Sequence, residues 1–186
     1  MKGTTARMSN NSSLVANSNL PTLLPKPPSS IKPHESLIWL EEAQTLQIYV
    51  AYTAGRRLEE MAVYMTILVD RMNEYGPWAV RVELLLLPRV VHYWESPSIY
   101  TQHVCEMKSL VDKINRSFKV LSRVNVQVNL DYANFHQMKL AAAVFSLDVQ
   151  WTLNYYIEGT LHLHKIETES HLMRRLLGVY ERDFEV

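Results

Sequence analysis

The predicted fold depends on the pattern of residues 37–75, LIWLEEAQTLQIYVAYTAGRRLEEMAVYMTILVDRMNEY. Mostly apolar positions recur along it at alternating steps of three and four, the spacing of side chains on one face of an α-helix. These positions are Leu37, Leu40, Gln44, Gln47, Ala51, Ala54, Leu58, Met61, Met65, Leu68, Met72 and Tyr75. Gly76-Pro77 ends the pattern, because proline cannot continue the helical hydrogen bonds. The spacing predicts a single helix, helix A, which would be roughly 58 Å long at about 1.5 Å per residue.

A second pattern of the same kind runs from Tyr100 to Met138 and predicts another long helix, helix C. Ser96 and Pro97 precede it and favour a helix start, with Ser96 as the N-cap and Pro97 as the first helical residue. Within residues 124–132 the apolar residues also alternate with polar ones, as they would in a half-buried strand. A helix is favoured here and a strand left open, because the three-four spacing continues through the same residues.

Three shorter segments complete the predicted fold. Residues 78–94 predict a buried helix interrupted at Pro88, with a strand as the rival interpretation. Residues 140–165 predict a helix buried by several neighbours, and a last short helix begins near Ser170. The chain has only 5 glycines, fewer than a fold with many tight hairpins usually needs. We therefore predict an all-α fold, an elongated up-and-down bundle with coiled-coil-like seams and about four to five helices, two of them long.

Residues 1–34 differ in composition from the rest of the chain. Ser, Asn, Thr and Pro dominate there, as in residues 9–13 and 24–30. Such a sequence buries too little apolar surface to offset the entropy lost on ordering it. We predict a disordered arm over residues 1–34 and a single helical-bundle domain over residues 35–186. The sequence leaves open whether Met8 is the natural start.

The charge balance and the cysteine content limit the classes of function. Lys plus Arg and Asp plus Glu are equal at 19 each, so no net charge attracts nucleic acid or an anionic membrane. Cys105 is the single cysteine and forms no internal disulfide. No apolar run reaches the ~18 to 20 residues of a membrane span, and no apolar signal sequence follows Met1. These features predict an intracellular protein, cytoplasmic or nuclear, without a membrane span.

No catalytic motif is present in the sequence. The chain has no Gly-x-Ser-x-Gly, no phosphate-binding Gly-rich loop and no His-Glu-x-x-His. His162, His164, Glu167 and His171 are the nearest group of metal-ligand types, and they do not match the Glu-x-x-His pattern of di-iron bundles. Cys105 lies beside the apolar positions of helix C, which favours a buried, inert thiol. We assign no catalytic, cofactor-binding or metal-binding residue and no cofactor, and we favour a non-enzymatic role while leaving an enzyme open.

The apolar stripe of helix A is the leading candidate for a partner-binding surface. Its Met- and Leu-rich part consists of Leu58, Met61, Met65, Leu68 and Met72. Methionine packs adaptably and is common at binding surfaces. The stripe predicts a protein–protein interaction module, an adaptor or an obligate subunit of a larger assembly, whose partner is another protein or a second copy. The sequence alone does not distinguish a seam that binds a partner from a seam inside the core.

A basic face on helix C supports an alternative function. Lys113, Arg116, Lys119 and Arg123 follow one another at steps of three, three and four. Four positive charges on one side of a helix predict binding to nucleic acid or phosphate, although a plain solvated surface is the favoured interpretation. Two further alternatives are a bundle-type metalloenzyme around the histidines named above and a helical cytokine-like ligand.

Overall fold

A computed structural model describes residues 34–52, 58–87, 97–132 and 134–185. Most of the predicted arm, residues 1–33, lies outside the described residues. The elements in chain order are β1 Leu37–Leu40, β2 Thr45–Ala51, α1 Leu58–Asn73, β3 Arg81–Leu87, α2 Pro97–Ser117, β4 Arg123–Leu130, α3 Phe135–Met138, the 3₁₀ helix η1 Lys139–Ser146, β5 Gln150–Ile157, β6 Leu163–Lys165 and α4 His171–Asp183.

The prediction of an all-α bundle with coiled-coil-like seams is wrong, because the chain forms a six-stranded mixed sheet. The strands lie in sequence order, β1-β2-β3-β4-β5-β6. The four inner strands, β2 to β5, are parallel, and the two edge strands, β1 and β6, are antiparallel to their neighbours. With the four α-helices, this is an α/β fold.

Along the inner strands, buried and less buried side chains alternate, a pattern that the helical interpretation did not take into account. In β2, Leu46, Ile48 and Val50 are fully buried, whereas Gln47 and Tyr49 between them are only half-buried. β3 and β4 show the same alternation. Side chains of a strand point alternately to opposite faces, so one face of the sheet carries the core and the other carries polar residues.

All the helices pack on the apolar face of the sheet. Three successive crossovers, each through a helical segment, join neighbouring parallel strands and step in the same direction. Such crossovers are almost always right-handed. Because all three have the same hand and step in the same direction across the sheet, their helices lie on the same face of it. Within this layer α1 contacts α2, α2 contacts η1, and η1 contacts α4. No described helix covers the opposite face of the sheet.

The predicted helices A and C are each broken by strands. The first half of helix A forms β1 and β2, and only its second half is helical, as α1. The pattern over residues 37–54 depended on Gln and Ala positions, which mark an apolar face weakly, while the β-branched residues of β2 favour a strand. Helix C ends at Ser117, and residues 123–130 form the strand that the sequence had left open.

Two other segments also differ from their predicted structure, and one helix start is confirmed. Residues 81–87 form a strand, the rival interpretation for that segment, and residues 140–165 form η1, β5 and β6 in place of one helix. α2 is helical from Pro97, and Ser96, its predicted N-cap, lies outside the described residues. α4 begins after Ser170, whose hydroxyl accepts a hydrogen bond from the backbone N–H of Met173 at 3.1 Å, a favoured N-cap. None of the described helices has the length and apolar character needed to cross a membrane.

Candidate functional site

A groove runs along the outer surface between α1 and α2. Both helices are crossovers between parallel strands, so they lie side by side and run in the same direction. The groove has a volume of about 710 Å³, within the range of about 300–1,000 Å³ that ligand sites occupy. Its lining residues are Glu59, Ala62, Met65, Thr66, Val69, Asp70, Gln102, Cys105, Glu106 and Ser109.

The floor of the groove is apolar on the α1 side. Ala62, Met65 and Val69 recur there at steps of three and four, so they share one side of the helix. On the adjoining outer surface of α1, Val63 and Ile67 are 59% and 46% exposed. Exposed apolar residues beside an apolar groove are a feature of surfaces that bind other proteins.

The rim of the groove is acidic. Glu59 and Asp70 lie at opposite ends of the α1 side, and Glu106 lies on the α2 side. Among the described residues, none of these three carboxylates has an ion-pair partner within 4.0 Å. The groove therefore combines an apolar floor with uncompensated negative charge.

Glu106 is the most constrained of the three acids. Its Oε1 accepts a hydrogen bond of 2.8 Å from Nε2 of Gln102, one helical turn earlier. Its Oε2 is buried and has no hydrogen-bond partner in the described part of the chain. Burial raises the pKa of Glu106, and the hydrogen bond from Gln102 opposes that rise only in part. A positive group placed in the groove would favour the ionised carboxylate.

The single cysteine lies at the groove. Cys105 is exposed at the groove, so the prediction of a buried thiol is wrong. The described lining residues include no histidine that would act as a base toward it.

The predicted partner-binding seam lies mostly in the core. The inner side of α1 is almost fully buried at four of these positions, Met61, Met65, Leu68 and Met72. The side chain of Leu58 is outside the described residues. Only Met65 among the four lines the groove. The stripe that the sequence singled out therefore holds α1 against the sheet, and the surface beside it is the one open to a partner.

The predicted basic face is divided among three parts of the fold. Lys113 and Arg116 lie on α2, Lys119 follows its end, and Arg123 is the first residue of β4. Arg116 also pairs with Asp112 one turn away, at 3.4 Å. The four residues share no single helix surface, because the chain leaves the helix at Ser117.

The histidines considered for metal binding are also separated. His164 in β6 stacks on Tyr155 with ring centroids 4.8 Å apart, whereas His171 begins α4. Glu167 lies 3.9 Å from Lys165. Across the described ranges, no group of three or more His, Cys, Asp or Glu residues has the arrangement of a metal site.

The groove could not be predicted from the sequence, although a local signal for its acidic rim exists. Glu59 and Asp70 border the Met-rich stripe in the sequence, but only the packing of α1 beside α2 brings Glu106 to the same groove. No protein-family model matches this chain, and no curated protein or solved structure matches it either.

Proposed function

We propose that this chain is a non-enzymatic protein-interaction module whose groove between α1 and α2 binds a basic amphipathic helix of a partner protein. The observation that carries this proposal is the apolar floor beneath three acidic residues without cationic partners among the described residues. An amphipathic helix in a hydrophobic groove is a recurring mode of peptide recognition, and lysines or arginines flanking its apolar face would complement the rim.

The length of the groove supports a helical ligand. Glu59 and Asp70 are eleven positions apart on α1, which corresponds to about 16 Å at about 1.5 Å per residue. A segment of about three helical turns would span that distance. Its apolar side chains would contact Ala62, Met65 and Val69, while its basic side chains would face the three carboxylates.

The environment of Glu106 supports a positively charged ligand. Because burial raises its pKa, ionising this carboxylate costs free energy in the free protein. A lysine or arginine of the ligand would favour the ionised form, so binding would release protons and would weaken as the pH falls. An uncharged helix would show no such dependence.

Peptide display selection against the complete chain tests the proposal. Selected peptides should be amphipathic with basic flanks, and a synthetic copy should bind in fluorescence anisotropy. Ala62→Arg places a large cation on the groove floor and should weaken binding at least about tenfold, or about 1.4 kcal/mol. Leu177→Arg is the matched control, since Leu177 is exposed on α4 and lies outside the groove lining.

Asp70→Lys tests whether the negative charge of the rim contributes to binding when the shape of the groove floor is unchanged. A cation near the C-terminal end of α1 suits the helix dipole, so this variant should remain folded and still lose affinity for basic peptides. Selected peptides that lack basic flanks, or that bind Ala62→Arg as well as Leu177→Arg, would contradict the proposal. Self-association of the purified chain that Ala62→Arg abolishes would instead make a second copy the occupant.

A further inference from the structure

The sheet face opposite the helices carries polar residues in aligned rows. Gln47, Glu83, Asn125 and Thr152 occupy paired positions across the four parallel strands. The next row contains Tyr49, Leu85, Gln127, Asn154 and Lys165. Parallel sheets are usually covered on both faces. Here the polar side chains allow the second face to remain in contact with solvent, since no described element covers it.

A groove of about 410 Å³ lies on this face over β3, β4, β5 and β6. Amide and hydroxyl side chains line its centre, and Arg123 and Lys165 lie at its two ends. In the register of the sheet, Arg123 and Lys165 are two strands and four residues apart. Strands are about 4.8 Å apart and residues rise about 3.3 Å, so the Cα atoms of these two cations are roughly 16 Å apart. Leu85, Leu163 and the carboxylate of Glu83 also line the groove. The groove therefore combines polar and apolar groups with a cation at each end, and Lys165 at one end lies 3.9 Å from Glu167.

A pair of arginines lies at one end of the groove. Arg81 and Arg123 are directly paired on adjacent strands, an arrangement of like charges that is unfavourable by itself. Within the described residues neither guanidinium has an ion pair or a side-chain hydrogen bond. The nearest row contains the carboxylate of Glu83, whose Oε2 accepts a hydrogen bond of 2.6 Å from Nε2 of Gln47. An external anion such as a phosphate would complement the pair.

The centre of the groove has unused hydrogen-bonding groups. Asn125 accepts a bond from Thr152 at 2.9 Å, and Gln127 donates to Asn129 at 2.6 Å. The Nδ2 of Asn125 and the Oε1 of Gln127 remain available, and the side-chain amide of Asn154 has no partner in the described part of the chain. Side-chain amides present the paired donor and acceptor that recognise the edges of nucleic-acid bases.

A tyrosine extends the same face beyond the amides. Tyr156 follows Thr152 and Asn154 at steps of two on β5 and is half-buried. Aromatic rings on an open sheet face stack on unpaired bases. We infer that the uncovered sheet face binds a short segment of single-stranded nucleic acid, with Arg81, Arg123 and Lys165 contacting phosphates and the amides of Asn125, Gln127 and Asn154 contacting base edges. This inference is independent of the groove between α1 and α2.

Fluorescence anisotropy with labelled single-stranded oligonucleotides of about twelve nucleotides, the scale of single-strand binding sites, tests the inference on the complete chain. The double variant Arg81→Ala/Arg123→Ala should weaken binding at least about tenfold. Because each phosphate contact to a single strand contributes about 0.7 to the slope of log affinity against log salt, losing two should reduce the slope by about 1.4. Asn154→Leu should alter the preference among bases while leaving that slope unchanged.

Lys113→Ala/Arg116→Ala is the matched control, since it removes the same charge from α2 in the opposite layer. It should bind as the unaltered chain does. Circular dichroism should show that all variants are folded. Failure to bind any single strand, equal loss in the control variant, or equal affinity for a duplex of the same sequence would overturn the inference. Ala62→Arg should leave oligonucleotide binding intact, which separates this surface from the proposed peptide groove.

Discussion

The hydroxyl of Tyr100 donates a hydrogen bond of 2.6 Å to Oδ2 of Asp183, residues that are 83 positions apart in the chain. This bond joins the first turn of α2 to the last residue of α4. Arg182 also donates to both carboxylate oxygens of Asp183 at 2.8 Å. Although burial alone would raise the pKa of Asp183, these hydrogen bonds and the nearby positive charges outweigh it and lower the pKa. The carboxylate therefore joins the start of α2 to the end of α4.

We expect Tyr100→Phe to lower the free energy of unfolding by about 2 kcal/mol, the range for a hydrogen bond to a charged group. Burial, with Asp183 as a further cause, raises the pKa of Tyr100 above its usual value of 10.0. A group with a raised pKa in the folded state loses its stabilising contribution as the pH rises above the unfolded pKa. The unaltered chain should therefore lose stability above about pH 10, and Tyr100→Phe should show less of this loss.

Urea unfolding at neutral and alkaline pH measures both effects. Tyr156→Phe is the matched control, because the Tyr156 hydroxyl has no hydrogen-bond partner among the described residues. If Tyr100→Phe and Tyr156→Phe had the same free energy of unfolding, the hydrogen bond from Tyr100 to Asp183 would not have the expected stabilising effect.

We expect His103 to reduce stability in acid. It is buried, its ring lies 3.9 Å from that of Tyr52, and burial lowers its pKa from 6.5 to about 4. Between these values the unfolded chain binds a proton that the folded chain does not. Stability is therefore complete above about pH 6.5 and falls as the pH decreases toward 4, by roughly 3 kcal/mol at most.

His103→Phe should remove this part of the acid dependence while keeping an aromatic ring beside Tyr52. Thermal or urea unfolding between pH 7 and pH 4 measures it, with His171→Gln at an exposed site as the control. If His103→Phe and the unaltered chain lost stability in parallel over that range, the buried histidine would not be the cause.

Two glycines should respond in opposite directions to the same substitution. A Cβ at Gly76 would lie 2.6 Å from the backbone oxygen of Ser117, so Gly76→Ala must displace the end of α2 from the turn after α1. We expect a loss of about 1–3 kcal/mol, as for other overpacked sites. Gly178 lies within α4, and a Cβ there would contact nothing within 4 Å. Gly178→Ala should stabilise the chain by about 0.5–1 kcal/mol through helix propensity. If the melting temperatures of Gly76→Ala and Gly178→Ala shifted in the same direction, the close packing of Gly76 against Ser117 would be contradicted.

Asn115 should hold the segment between η1 and β5 against α2. Its Nδ2 donates to the backbone oxygen of Ser146 at 2.7 Å, and its Oδ1 accepts from the N–H of Asp148 at 3.1 Å. Asn115→Ala should cost about 1–2 kcal/mol for the two lost bonds. The amide of Asp148 should also exchange faster with solvent. Asn73→Ala, at an exposed asparagine without such side-chain bonds, should change neither quantity.

Part of the secondary structure could be predicted because its signals are local. Residues 58–72 repeat apolar side chains at helical spacing and form most of α1. Ser170 has the chemistry of an N-cap and begins α4. Residues 124–130 carried both a helical and a strand pattern, and pairing with β3 and β5 decided between them. The spacing of residues within one segment does not include the free energy of strand pairing, because the partner strands lie far away in the sequence.

Local sequence alone establishes the apolar periodicity of an element, and Met61, Met65, Leu68 and Met72 of the stripe are buried, as are the alternating apolar residues of β2 and β4. What those residues pack against depends on the tertiary structure. It placed α1 beside α2, which brought Glu106 to the groove bordered by Glu59 and Asp70. It also paired β3 with β4, which set Arg81 beside Arg123. Periodicity records the burial of each residue within its own element, whereas both candidate surfaces depend on contacts between elements that are distant in the chain.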